Sequence, residues 1–142
     1  MDMSGAVRVS AGVAAVIAGL AGCATPPPAL GSRNAQVTID GRDTGTTYPV
    51  SCDQFGWDWK LHTLKDTPGF TAMFTTGDPS GPQSVQIRDL GGFTGSYWKY
   101  TTGDAKFRID NGDFVLTGTA VGYTSDRPNK TSSATFMIRT DC

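Results

Sequence analysis

The segment KFRIDNGDFVLTGTAVGY, residues 106–123, constrains the fold more than any other part of the chain. Phe107 and Ile109 alternate with charged residues, Asn111-Gly112 follows, and Phe114, Leu116, Gly118 and Ala120 then alternate with their own neighbours. Successive side chains on a strand point to opposite faces, so this period marks half-buried strands. An Asn-Gly pair between two such runs supplies the positive φ angles of a two-residue hairpin turn. The segment therefore predicts two antiparallel strands joined tightly.

The same period recurs along the chain. Val37 and Ile39 alternate before Asp40-Gly41, Val50 and Cys52 share a face, and Phe70, Ala72 and Phe74 repeat the pattern, as do Val85 and Ile87, and Phe136 and Ile138. In WDWKLHTL, alternation puts Trp57, Trp59 and Leu61 on one face and Asp58, Lys60 and His62 on the other. The first set predicts core packing and the second an outer surface. All thirteen acidic residues are Asp, and the chain holds eighteen Gly and eight Pro. Asp favours turns and caps where Glu would favour helix, so composition agrees with periodicity. The expected fold is all-β, an antiparallel β-sandwich or distorted barrel of about eight short strands over residues 35–142.

The N-terminal part obeys different rules. Arg8 precedes a mostly apolar run over residues 9–22, shorter than the roughly 20 residues a membrane span needs. A basic start, a short apolar region and a small-residue end describe a secretory signal peptide over residues 1–22. Initiation at Met3 would remove Asp2 and sharpen its charge asymmetry, and a twin-arginine pair is missing, so the general export route is expected. The run closes on Leu20-Ala21-Gly22-Cys23, which resembles a lipobox. Ala21 and Gly22 allow the backbone into a peptidase groove, Leu20 fills an apolar pocket, and the Cys23 thiol alone can form a diacylglyceryl thioether. Cleavage before Cys23 would free its amine for N-acylation. One acyl chain holds a protein marginally and two or more hold it stably. Residues 23–34, with three consecutive prolines, then form an extended tether between a membrane and the domain. The expected location is the extracytoplasmic side of the cell membrane or envelope, with the bilayer as partner through covalent lipid.

With Cys23 assigned to lipid, Cys52 and Cys142 remain, and a pair in an exported chain predicts a disulfide. Net charge is −1, with no basic stretch suited to nucleic acid. His62, the only histidine, points away from the tryptophan face, and no serine stands in a Gly-x-Ser-x-Gly context. One histidine and the lack of paired cysteine spacing predict no zinc site. Asp110-Asn111-Gly112-Asp113 reads as a turn, since Phe107 and Ile109 cannot serve as calcium ligands. The run Gly91–Gly95 has no phosphate-loop ending and reads as a loop entering a strand. No enzymatic activity, cofactor or metal is expected. Tyr97, Trp98 and Tyr100 offer a different chemistry, because aromatics placed on both faces of a strand leave one side exposed. They are candidates for contact with envelope lipids or glycans.

With these residues placed, the chain resembles the mycobacterial nineteen-kilodalton lipoprotein antigen family. The likeness lies in Leu20–Cys23, VTIDG (37–41), Cys52, LTGTAVGY (116–123) and a final strand ending at Cys142. The resemblance implies an acylated, non-enzymatic surface antigen whose lipidated N-terminus engages host Toll-like receptor 2. Two departures stand out. The family's Ser/Thr-rich, glycosylated linker is here short and Pro-rich, with Thr25 and Ser32 as its hydroxyl residues, and the middle of the chain is rich in tryptophan.

Overall fold

A computed structural model describes residues 33–142. Nine strands, all antiparallel to their neighbours, make a single sheet: β1 (Arg33–Ile39), β2 (Arg42–Phe55), β3 (Asp58–Thr63), β4 (Gly69–Thr75), β5 (Gly81–Leu90), β6 (Phe93–Trp98), β7 (Asp104–Asp110), β8 (Asp113–Thr124) and β9 (Arg127–Thr140). The sheet runs in the order β6-β5-β4-β3-β2-β1-β9-β8-β7, and an extra pairing of β6 with β8 closes it into a ring. The result is the distorted barrel that was one of the two expected architectures.

Closure depends on how β8 shares one edge. Its first part pairs with β7 from Asp110↔Asp113 to Asp104↔Thr119, and its last part pairs with β6 from Ser96↔Val121 to Phe93↔Thr124. Gly95 stands opposite Gly122 in that short seam. A Cβ on Gly122 would overlap the Thr94 carbonyl and the Gly95 Cα, so the seam closes only because these positions lack side chains.

The expected turns are present. Asp40 and Gly41 take φ of 51° and 75°, and Asn111 and Gly112 take 50° and 84°. Positive φ at both central residues is the type I′ pattern, whose twist suits a hairpin. Gly91 and Gly92 form the β5–β6 turn, and Phe93 opens the next strand.

Alternation places the core inside the ring. Leu61, Phe70, Phe74, Val85, Ile87 and Ile138 are fully buried. Towards the end where β1 starts, Trp59 stacks with Phe74 at 6.3 Å and meets Phe114 edge-on at 5.0 Å, while Phe107 stacks on Phe74 at 4.8 Å. Edge-to-face and offset pairs of this kind are favoured by the ring quadrupoles. Below them, Cys52 is bonded to Cys142, with Cα atoms 6.1 Å apart.

Two expectations need correction. Trp57 was assigned to the core face with Trp59, but it occupies the Gly56–Trp57 turn and is 71% exposed. The strand starts one residue later, at Asp58, so Trp57 is not subject to the alternation. Ile109, expected to be buried beside Phe107, is exposed, because it sits one pair from the end of the β7–β8 ladder and beyond the core. Arg33 and Asn34 of β1 face Val50 and Pro49 of β2.

Candidate functional site

Cys23, with the recognition residues Leu20, Ala21 and Gly22, lies outside the described residues. What the structure does place is the point at which the preceding segment joins the barrel. The Arg33 guanidinium donates to the Asp141 carbonyl at 3.1 Å, and the Asn34 amide donates to the Asp141 carboxylate at 2.9 Å. The disulfide stands beside them, so both ends of the domain are fastened to β2 at one rim. A groove of about 560 Å³ opens there, lined by Arg33, Val50, Cys52, Gln54, Trp59 and Cys142 among others.

Strand parity tells which loops share that rim. The start of β1, the end of β9, the β2–β3 turn, the β4–β5 loop and the β7–β8 turn all belong to it. The β2–β3 hairpin continues past the level of Arg33, flanked by β4, whose Thr75 pairs with Asp58. Arg33 pairs with Val50, and β2 then continues five residues to Phe55, paired with β3 among the described residues. At about 3.3 Å per residue this carries the hairpin tip roughly 17 Å along the strand from the level of Arg33. Its tip carries Phe55 and Trp57, both 71% exposed, on either side of Gly56.

The tip is braced. The Trp57 carbonyl accepts from the Thr76 amide at 2.8 Å and from the Thr75 and Thr76 hydroxyls at 3.2 Å each, and the Gln54 side-chain amide donates to the Gly56 carbonyl at 3.0 Å. Sequence reasoning missed this feature. The signal available was Gly56 itself, a turn residue immediately ahead of the alternating run.

The aromatic stretch 97–100 divides. Tyr97 points inward, is 6% exposed and donates its hydroxyl to the Pro82 carbonyl at 3.2 Å. Burial pushes its phenol pKa up, opposed by the nearby Lys99 charge. Trp98 and Tyr100 are outside, 45% and 95% exposed. With Met73, Gln83 and Ser84 they line a groove of about 540 Å³. Met73, Ser84 and Trp98 are cross-strand partners on β4, β5 and β6, and the two large side chains cover Ser84. Tyr100 holds a φ of 66°, uncommon for a bulky residue, and Lys99 Nζ lies 5.0 Å from the centre of its ring.

His62 lies on the outer wall as the alternation predicts, between Ser51 of β2 and Thr71 of β4. Its Nδ1 is 3.8 Å from an Asp53 carboxylate oxygen and makes no hydrogen bond among the described residues. The structure does not join it to a serine hydroxyl among the described residues. Asp110 and Asp113 both hold Arg139, at 2.6 and 3.1 Å, and Arg108 also reaches Asp110 at 3.1 Å. Hydrogen bonds from Arg139 and then Arg108 keep the Asp110 carboxyl below the usual carboxylate range. These carboxylates tie the β7–β8 turn to β9.

Residues 28–142 match the family model described as Mycobacterium 19 kDa lipoprotein antigen. A protein of Mycobacterium avium subsp. hominissuis is 35% identical over 138 residues, covering 95% of both chains. LppE of Mycobacterium tuberculosis is 33% identical over 92% of this chain and 94% of its own. Lipoprotein LpqH of the same species is 28% identical over 93% of this chain and 94% of its own.

Proposed function

The chain belongs to the Mycobacterium 19 kDa lipoprotein antigen family, and from that premise we propose that it is an acyl-anchored, non-enzymatic lipoprotein displayed on the cell envelope. One observation carries the reading: the Leu20–Cys23 motif stands just ten residues ahead of Arg33, where a fully formed barrel begins. Cleavage at Cys23 would leave a short tether and a complete domain. Thioether and amide-linked acyl chains on Cys23 hold that domain at the outer face of the membrane, and the acylated terminus is the element offered to an innate receptor such as Toll-like receptor 2. The barrel wall, with one lone histidine, serves as the displayed surface.

The expected outcome of Cys23→Ala is loss of the protein from the membrane fraction and its appearance in soluble fractions, since each buried acyl methylene contributes about 0.8 kcal/mol to attachment. Fractionation of the variant with membranes, as in the wild type, would refute acyl anchoring.

A second reading rests on the Trp98–Tyr100 groove. Backbone held at positive φ beneath a ring open to solvent is the kind of local strain found at ligand clamps. Trp98 and Tyr100 would stack against a sugar face or an acyl chain, which makes the barrel a carrier or binding module for envelope glycans or lipids. Trp98 emission should shift when such a ligand is added, and emission that stays fixed across both classes removes the reading.

A further inference from the structure

We infer that the β2–β3 hairpin tip, Phe55-Gly56-Trp57, is a second membrane contact that seats the barrel on the bilayer surface; this rests on the acyl-anchor reading above. Three observations meet here. The tip lies past the level of Arg33, on the same rim at which Arg33 enters the barrel. Residues 24–32 between Cys23 and Arg33 can span at most about 32 Å when fully extended, and the tip lies roughly 17 Å along β2 from the level of Arg33, so it can touch the bilayer with the anchor in place. Phe55 and Trp57, large apolar side chains, face solvent there on a braced backbone.

The occupant is a lipid–water interface. Trp is enriched at the head-group level, where its indole meets an apolar and a wet environment at once. Asp58, next to Trp57, and Asp78 of the adjoining β4–β5 loop line a groove beside the tip. Their carboxylates stay in head-group water, which limits the tip to shallow insertion and disfavours strongly anionic surfaces. Fixing Trp57 through its carbonyl to Thr75 and Thr76 means little conformational freedom is lost on contact. The consequence is a defined orientation: the disulfide rim faces the membrane, and the Asp40-Gly41, Gly91-Gly92 and β8–β9 turns face outward.

The test uses the full acylated protein in phosphatidylcholine vesicles brominated at a shallow acyl position. The chain has three tryptophans, of which Trp59 packs in the core and Trp98 lies on the side wall. Bromine should quench the wild type, Trp57→Phe should lose most of that quenching, and Trp98→Phe should keep it. Trp57 is exposed, so its replacement leaves the fold intact. Protein that floats with vesicles but is not quenched, or is quenched equally after Trp57→Phe, overturns the inference and leaves the anchor standing. Protein that fails to float overturns the anchor, and the inference with it.

Discussion

The double variant Cys52→Ser, Cys142→Ser should lose about 4–5 kcal/mol of unfolding free energy by the chain-entropy estimate for a loop of this size. The bridge joins residues 90 apart in sequence, nearly the whole domain. It fastens Cys142, two residues past the end of β9, to β2, while β1 lies between those strands and pairs with both. Without it, the start of β1 is held at that rim by the contacts of Arg33 and Asn34 with Asp141, all at the surface. A small domain has only about 5–15 kcal/mol in total, so the variant should remain folded in dilute buffer by a narrow margin or lose its fold on warming. Urea titration gives the answer, read as a large fall in the midpoint. A midpoint within experimental error of the wild type would mean that the ring holds itself together without the bridge.

Gly122→Ala is expected to cost about 3 kcal/mol, the upper part of the range for forcing a methyl group into packed structure. The obstruction is backbone, the Thr94 carbonyl and Gly95 Cα, which cannot rotate away as a flexible side chain would. Strand β6 must separate from β8 or shift along it. The seam comprises four residue pairs, so there is little ladder in reserve. Once it opens, β6 no longer shares the β8 edge with β7, and Phe93, whose ring covers Gly95, loses its packing. Urea midpoints measure the total loss, and amide exchange across residues 93–96 shows whether the seam is where the opening occurs. A stability loss below about 0.5 kcal/mol, the usual size for an uninvolved surface site, would argue against closure through this contact.

Much of the fold was legible because it is local. Val37 with Ile39, Phe70 with Phe74, and Leu116 with Ala120 alternate because each strand has one face on the core, and all six are buried. Asp40-Gly41 and Asn111-Gly112 announce their turns through backbone preference. The disulfide followed from parity once Cys23 was set aside. Closure was not legible: Gly95 and Gly122 carry no local sign that they will meet, and their meeting depends on the register of every strand between them. Trp57 was misassigned because alternation was carried one residue into a turn. Tyr97 and Trp98 show the opposite case, where period two separates neighbours cleanly into core and surface, and Tyr100 then leaves the pattern at a positive φ. The groove beside Trp98 also needs Met73 from β4, a partner that only the sheet order supplies.

The account rests on acylation of Cys23 and removal of what precedes it. Intact-mass measurement of the protein purified from native membranes tests this most directly. The predicted mass is that of residues 23–142 less the two hydrogens of the Cys52–Cys142 bridge, plus a diacylglyceryl group and an N-linked acyl chain. A mass that retains residues 1–22, or an unmodified thiol at Cys23, would contradict it.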